Sequence, residues 1–133
     1  MIVVDTSVLI GYLKGEASPA VNRLAQIEED QIPYYIPVIC FQELLQGARS
    51  KSEWRVLDDY LTSQRLLVPE TPVELHREAG RIFFDGRRRG LTIRSTVDCL
   101  IAAQTLQAGA TLLHDDSDFD HIAKLRPLKT LRD

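Results

Sequence analysis

Four acidic residues stand far apart in this chain, and each lies where an α/β protein would turn it toward a common point. They are Asp5 in IVVDTSVLI, Glu43 in CFQELLQGA, Asp98 in STVDCLIAAQ and Asp116 in LLHDDSDFDHI. Carboxylates that crowd together repel one another, so such a cluster stays ionised only beside a compensating cation. Hard divalent metals prefer oxygen ligands of this kind. The residue types therefore predict a divalent metal site.

Two of these acids follow short apolar runs that are predicted to be strands. Asp5 comes directly after Ile2–Val4, and Asp116 comes a few residues after Thr111–Leu113. In an open parallel sheet, ligands bind in the crevice beyond the carboxyl ends of the strands. The other two acids lie on predicted helices. The pattern therefore predicts that residues distant in sequence meet at one edge of a sheet.

Strands and helices alternate along the chain. Strands are predicted at 2–4, 34–37, 65–68, 111–113 and 128–130. Helices are predicted at about 7–13, 19–27, 38–48, 52–62, 72–90 and 95–107, with a helical turn at 118–123. Thr71 and Glu74 are predicted to form a capping box, with Pro72 at the first helical position. This alternation predicts an α/β fold with a mainly parallel central sheet flanked by helices.

Each acid also has a purely structural explanation. Asp5 is a good N-cap for the helix that follows it. Glu43 is also typical of the exposed side of an amphipathic helix. Asp98 stands three residues after Ser95, where a helix dipole favours negative charge. Residues 115–120 are also typical of a solvated acidic loop. On sequence alone these alternatives stay open.

Composition places the chain among globular proteins of one domain. A length of 133 residues is enough for a single core, and the charged fraction of 26% is typical of a soluble protein. No apolar run approaches the roughly 20 residues that span a bilayer. No secretory signal is recognised, so a cytoplasmic protein is expected. Cys40 and Cys99 lie in apolar helical stretches and are interpreted as buried thiols.

The net charge of −3 conceals a local basic segment. Between His76 and Arg94 the sequence has six arginines but only two acids, Glu78 and Asp85. The arginines are Arg77, Arg81, Arg87, Arg88, Arg89 and Arg94. A basic strip beside an acidic pocket is compatible with binding a phosphodiester. A solvated helix face followed by a charged loop explains the same segment equally well.

Two predicted helices carry apolar stripes. Leu44, Leu45, Trp54, Leu57 and Leu61 have helical spacing within residues 38–62. Internal packing is the simpler explanation of these stripes. The alternative is a groove that accepts the amphipathic helix of another chain.

Together these motifs resemble the PIN-domain family, in particular the toxin ribonucleases of bacterial VapBC toxin–antitoxin pairs. The resemblance covers the whole chain, 1–133, as one PIN domain. It rests on an opening strand that ends in Asp5-Thr6-Ser7, on Glu43-Leu44, on the helix Asp98–Ala103, and on the segment Leu113–Phe119. The order and spacing of these motifs agree with the family. One departure is His114-Asp115, where relatives often carry Thr-Asn or a similar pair.

The resemblance implies a PIN-like three-layer fold and an endoribonuclease that depends on Mg²⁺, with Mn²⁺ able to substitute. Asp5, Glu43, Asp98 and Asp116 would form the catalytic metal-binding quartet. Asp118 would supply a supplementary carboxylate. Thr6, Arg87, Arg88, Arg89 and Arg94 would contact the RNA. Which of Asp115, Asp116 and Asp118 contacts metal stays open.

The resemblance also implies partners. A cognate VapB-type antitoxin would bind the apolar stripes, cover the acidic pocket and inhibit the enzyme. The toxin would form a homodimer and would not associate with a membrane.

Two other functions compete with this interpretation. A non-catalytic interaction module could keep the fold without the chemistry. A phosphate-accepting receiver domain also holds acids at strand ends, but it needs a lysine after a late strand. Here that strand leads to His114. A hydrolase with an aspartate nucleophile would want a second aspartate where Ser7 stands.

Overall fold

The computed structural model describes residues 1–131 and confirms the predicted alternation of strands and helices. The strands are β1 (Ile2–Val4), β2 (Ile36–Pro37), β3 (Leu66–Leu67), β4 (Thr111–Leu113) and β5 (Lys129–Thr130). The helices are α1 (Thr6–Leu13), α2 (Pro19–Glu29), α3 (Val38–Gln46), α4 (Lys51–Thr62), α5 (Pro72–Arg88), α6 (Thr96–Gln107) and α7 (Ser117–Ile122).

Every strand pair in the described structure is parallel, as the sequence predicts. β1, β4 and β5 form one sheet in the order β1-β4-β5, and β2 pairs with β3. A parallel bridge between Val3 and Tyr35 places the β2–β3 pair on the other side of β1. β1 and β4 are therefore central. Their inner residues are apolar and fully buried, which is typical of a parallel sheet covered on both faces.

Helices flank the sheet in two packed groups, α1–α4 and α5–α7, and this gives the three-layer α/β arrangement. The core is built from aliphatic side chains of β1, β4 and the facing helices. Cys40 and Cys99 are free thiols buried in it, as predicted. Among the described residues, no helix combines the length and the apolar character needed to cross a bilayer.

Helix starts follow the predicted caps with one exception. The hydroxyls of Ser18, Ser50 and Ser95 accept N–H bonds from the first turns of α2, α4 and α6. α5 begins at Pro72 as predicted, but the side chain of Thr71 makes no capping bond. The capping-box prediction is wrong here because Thr71 has ψ 77°, outside the extended conformation of the three serines.

Element lengths differ modestly from the prediction. α3 ends at Gln46 and not near Ala48, since Gly47 already has the first carbonyl contacts of a C-cap. The two outer predicted strands at 34–37 and 65–68 shrink to two residues each. Only that short stretch of each segment pairs with a neighbouring strand.

The connection between α5 and α6 brings a loop to the edge of the sheet. Gly90 has φ +71°, a left-handed conformation that terminates α5. Gly86 lies so close to the loop that a Cβ there would stand 2.8 Å from Cδ1 of Ile93. α5 and α6 then pack along each other, so the C-terminal end of α5 lies beside the N-terminal end of α6. This end of the hairpin carries Arg94 and Asp98.

Candidate metal centre

The carboxyl ends of the two central strands lie side by side. Val4 of β1 is in register with Leu113 of β4, and the N–H of Asp5 donates to the carbonyl of Leu113 at 3.0 Å. β1 has β2 on one side and β4 on the other, so its end is the point where the strand order diverges. Such a point opens a crevice in an α/β sheet. The predicted meeting place of the acids therefore exists.

Asp5 enters this crevice from the end of β1. Its side chain is 2% exposed, and one carboxylate oxygen accepts bonds from the N–H and the hydroxyl of Ser7. It is thus the N-cap of α1, as its structural explanation predicts. Burial raises the pKa of Asp5 to about 6, although the bonds from Ser7 oppose this rise. Glu43 adds a smaller repulsion that raises it further.

Glu43 reaches the same crevice from α3. It is half-buried, and the hydroxyl of Thr6 donates to its Oε1 at 2.7 Å. This bond fixes one carboxylate oxygen and joins α3 to the start of α1. Glu43 is therefore a held side chain and not a solvated member of an amphipathic helix.

Asp98 lies in the first turn of α6 and is only 8% exposed. Its N–H donates to the hydroxyl of Ser95 at 3.4 Å, a long cap bond. Its Oδ2 is buried and has no hydrogen-bond partner. Burial raises the pKa of Asp98 to about 9, and the side chain of Asp118 and the charges of Asp5 and Asp116 add to this rise. Without a cation, Asp98 therefore holds a proton near neutral pH.

Asp118 is fully buried in the first turn of α7. One of its oxygens accepts the backbone N–H groups of Arg94 and Ser95, each at 3.0 Å. Burial disfavours its charged form, but these donors and the hydrogen bond with Asp98 outweigh that effect and lower its pKa. Asp98 and Asp118 thus share one proton, which resides on Asp98. Asp118 anchors the 91–95 loop.

Asp116 completes the group as the N-cap of α7. Its Oδ1 accepts the N–H of Asp118 at 2.9 Å. One oxygen from each of Asp98, Asp116 and Asp118 lies within 4.8 Å of the others. This spread is close to that of oxygens sharing one small divalent ion, whose bonds are about 2.0–2.6 Å long. The buried, unpartnered Oδ2 of Asp98 adds a free ligand atom, so the donor set fits a hard cation.

Arg94 lies across the outer side of this cluster. Its Nη2 is 3.3 Å from Oδ1 of Asp116, and its Nε is 3.4 Å from Oδ1 of Asp118. The side chain is nevertheless 68% exposed. Because its backbone is fixed by Asp118, only the guanidinium is positioned to move. Arg94 is therefore a tethered positive charge at the mouth of the acidic centre.

Known proteins with the same pattern identify the family. The family model described as "PIN domain" matches residues 2–125 of this chain. The chain belongs to the PIN-domain family.

Relatives at higher identity carry more specific names. The chain is 34% identical over 132 residues to the VapC ribonuclease Mb1587 of Mycobacterium bovis, covering 97% of this chain and 96% of the relative. It matches Ribonuclease VapC11 of Mycobacterium tuberculosis to the same extent, 34% over 132 residues with 97% and 96% coverage. These relatives place the chain in the VapC branch of the PIN-domain family.

Solved structures agree on the fold. The PIN domain superimposes on VapBC2 of Rickettsia felis with a TM-score of 0.74 at 18% identity, covering 98% of both chains. It superimposes on FitAcB of Neisseria gonorrhoeae with a TM-score of 0.73 at 20% identity, covering 99% of this chain and 97% of the other. At these identities the likeness supports the PIN fold alone.

The choice among the neighbouring acids of this PIN domain is narrowed by the structure. Asp116 and Asp118 join Asp98, whereas the side chain of Asp115 is exposed. The N–H of Asp115 donates to the hydroxyl of Ser7, which ties the end of β4 to α1. His114 is fully buried, accepts the N–H of Asp116 through Nδ1 and packs on Phe119. It supports the turn and has no position from which to act as a base on solvent.

The other predicted RNA-contacting residues fall in two places. Thr6 is at the centre, where it holds Glu43. Arg87, Arg88 and Arg89 are exposed at the C-terminal end of α5, outside the acidic cluster. Arg89 donates to the carbonyl of Lys124, and Arg87 stacks over the ring of Phe83. The PIN domain therefore places Arg94 at the centre and the arginine triplet beside it.

Sequence reasoning missed two functional positions of this PIN domain. Ser7 connects the carboxyl ends of both central strands through its contacts with Asp5 and Asp115. Asp118 holds the backbone at Arg94 and Ser95, more than twenty residues away. The signal for Ser7 was its place two residues beyond a strand-end acid. No local pattern signals a bond to a distant backbone, so the role of Asp118 needed coordinates.

Proposed function

We propose that this protein is the toxin of a type II toxin–antitoxin pair and acts as a metal-dependent endoribonuclease that hydrolyses RNA phosphodiester bonds. One observation carries the proposal: the buried, unpartnered oxygen of Asp98 faces two further carboxylates at the carboxyl end of a parallel sheet. Kinship with proteins named VapC ribonucleases supports the choice of RNA as substrate.

The side chains then have distinct tasks. Asp98 and Asp116 hold the cation together with Asp5, and Asp118 supplies a further oxygen while it anchors the loop. Glu43, with one oxygen fixed by Thr6, presents the other to orient a water or to accept its proton. When bound, a divalent cation lowers the pKa of a water and neutralises charge at the leaving oxygen. Asp98 must lose its proton for this cation to bind.

Mg²⁺ is the cation we propose, with Mn²⁺ as a substitute. All the ligands offered are carboxylate oxygens, which suit hard ions, and no cysteine or imidazole belongs to the described cluster. Mg²⁺ keeps several waters and is bound through few carboxylates. A small open centre with one free buried oxygen matches this preference better than it matches a calcium cage of six to eight ligands.

The direct test is cleavage of total RNA by the purified protein. With Mg²⁺, we expect discrete fragments whose ends map to a limited set of positions, because a nuclease with a shaped cleft selects loops and single strands. Excess EDTA should stop cleavage, and Mn²⁺ should restore it. The readout is the mapped fragment ends. Unchanged RNA with either ion would leave the protein as a non-catalytic PIN-like module.

Arg94 is expected to compete with the metal. Because its guanidinium pairs with Asp116 and Asp118, replacing it by glutamine removes a competing cation. We predict that R94Q binds Mn²⁺ about two- to fivefold more tightly, the range that an exposed ion pair allows. Titration of free Mn²⁺ by electron paramagnetic resonance measures this without any RNA.

A matched variant separates competition from bulk charge. Arg65 is exposed and lies before β3, so R65Q makes the same charge change away from the cluster. R65Q should bind Mn²⁺ as the wild type does. Equal tightening in both variants would assign the effect to net charge, and weaker binding by R94Q would make Arg94 a structural support of the ligands.

A VapB-type antitoxin is the proposed inhibitory partner. The predicted apolar stripes divide in the structure, since Leu44, Leu45 and Leu61 are buried whereas Trp54 is exposed. A groove of about 720 Å³ lies between α1, α3 and α4. Its apolar lining consists of Ile10, Leu13, Leu44, Val56 and Leu57, and Glu43 lies in its wall. An amphipathic helix seated there would cover the acidic centre.

Other features of the proposal come from kinship. The VapBC2 and FitAcB structures are described as complexes of a toxin–antitoxin type or of a related pair, and one of them contains promoter DNA. We propose that this chain likewise acts in a complex, forms a homodimer, and works in the cytoplasm as a single PIN domain over residues 1–133. Size determination of the purified protein with and without the antitoxin tests the assembly.

A further inference from the structure

The outer face of α5 carries a row of basic and aromatic side chains. Arg77, Arg81, Phe84 and Arg88 are spaced by four, three and four residues, so they lie on one face of the helix. The opposite face holds the buried residues Leu75, Ala79, Ile82 and Gly86. The four outer residues, called here the α5 stripe, are all exposed.

Phe84 is the unusual member of the α5 stripe. Its side chain is 42% exposed, although nothing in the fold requires an aromatic ring opposite the core. The guanidinium of Arg81 lies 5.5 Å from the ring centroid, and that of Arg88 lies 5.7 Å away. These cation–π contacts hold a ring and two planar cations together at the surface. The combination offers flat faces and positive charge at one place.

The charge of the stripe is largely uncompensated. Asp85 pairs with Arg81 at 2.9 Å, but it also accepts a bond from Arg126 at 3.0 Å. Glu78, the other nearby acid on α5, is bound by Arg126 at 2.7 Å. Both acids therefore face Arg126 on one flank of the helix. No acidic side chain lies on the α5 stripe itself.

The stripe leads to the metal centre. α5 and α6 are consecutive and packed together, so the Arg88 end of α5 lies at the same end of the molecule as Asp98. From Arg77 to Arg88 the stripe extends about 17 Å at 1.5 Å per residue. That length corresponds to about five phosphates at the spacing of about 3.4 Å along one strand of a duplex.

We propose that the α5 stripe binds a single-stranded part of the RNA substrate and guides it to the metal centre. This inference rests on the proposed ribonuclease function. The arginines contact phosphates, while Phe84 and the guanidinium planes stack on unpaired bases. Proteins that bind single-stranded nucleic acids combine these two elements. Paired bases are not available for such stacking, so the stripe selects loops and unpaired ends.

Binding of RNA to the D98N variant tests the inference without cleavage. A fluorescein-labelled, unstructured RNA is titrated by anisotropy at several KCl concentrations. Adding R77Q and R88Q should reduce the slope of log K against log salt by about 1.4, since each lost phosphate contact on a single strand accounts for about 0.7. F84A should weaken binding about 5- to 100-fold, the range for loss of one stacked base.

Matched variants control for charge and shape. R55Q with R65Q makes the same charge change at exposed arginines outside the stripe, and its salt slope should equal that of the parent. F84W keeps an aromatic face and should bind RNA as the parent does. With duplex RNA as ligand, F84A should bind as tightly as the parent. Thermal unfolding of every variant checks that the fold is retained.

The outcomes distinguish this inference from the proposed function. If wild type cleaves RNA with Mg²⁺ but the stripe variants bind like R55Q/R65Q, the RNA lies elsewhere and the inference fails alone. If the stripe variants change only the oligomeric state, this face is a protein interface and the inference also fails. If wild type neither cleaves RNA nor, as D98N, binds it, the proposed function fails with it.

Discussion

The D98N variant is expected to lose RNA cleavage by a factor of about a thousand or more while keeping its fold. Asp98 supplies the buried oxygen that has no hydrogen-bond partner, so the amide removes both a ligand and the charge that the cation neutralises. Metal stabilisation of the reaction is worth several kcal/mol, and each 1.4 kcal/mol changes the rate about tenfold. Initial rates with labelled RNA and saturating Mg²⁺ measure the loss.

The stability of D98N gives an independent readout of the same crowding. Burial and neighbouring acids raise the pKa of Asp98 to about 9, whereas an unfolded aspartate titrates near 3.8. The folded protein therefore binds more protons than the unfolded chain between these values, and the free energy of unfolding falls as the pH rises through them. Asparagine cannot ionise, so in EDTA D98N should unfold at a higher temperature than wild type above about pH 6.

An aspartate outside the centre provides the control for both measurements. Asp59 is exposed on α4, and D59N should leave the cleavage rate and the pH dependence of unfolding unchanged. Cleavage by D98N at the wild-type rate would remove Asp98 from the chemistry. A wild type whose stability in EDTA does not decline between pH 5 and about 9 would contradict the crowding of carboxylates around it.

The positions of the strand-end acids were predictable because they depend on local patterns and one general rule. An apolar run followed by Asp5 predicts a buried strand with an acid at its end, and parallel pairing aligns that end with β4. Only pairing order is needed to bring such ends together. Asp98 was predictable to the same degree, since Ser95 marks the start of α6. Family resemblance then selected these residues from nineteen acids.

The contacts that complete the centre were not predictable because they join residues without any fixed spacing. The bond from Thr6 to Glu43 depends on how α1 packs on α3. The two interpretations of Asp5, cap and metal ligand, are compatible in the structure, although sequence treated them as alternatives. Arg94 illustrates the same limit. Its charge predicted a phosphate contact, whereas its geometry places it on Asp116 and Asp118.

The failure at Thr71 has a different physical origin. A capping box is a local pattern, but the bond forms only if the backbone of the first residue is extended. The ψ of 77° at Thr71 is imposed by the path of the chain from β3 into α5. Tertiary context therefore overrode a local preference. The helix still begins at Pro72, since proline favours that position regardless of the cap.

Asp118 is expected to be the residue whose loss most reduces stability. Its buried carboxylate accepts the N–H groups of Arg94 and Ser95, and D118A would leave both donors without their acceptor. Each unsatisfied buried group costs about 1–3 kcal/mol, out of the 5–15 kcal/mol that typically stabilises a domain. Relief of the repulsion on Asp98 offsets part of this cost. We expect a decrease of about 10 °C in the unfolding midpoint, measured by calorimetry in EDTA.

The D118N variant separates the anchoring role of Asp118 from its charge. An amide oxygen still accepts both N–H groups, and its NH₂ can donate to Asp98, so D118N should lose less than half of the stability that D118A loses. Its cleavage of RNA should nevertheless fall, because a carboxylate beside the cation is gone. Equal midpoints for D118A and wild type would show that the 91–95 loop is held by other contacts, such as Ile93 against Gly86. Equal destabilisation by D118A and D118N would instead assign the stabilising effect to the negative charge.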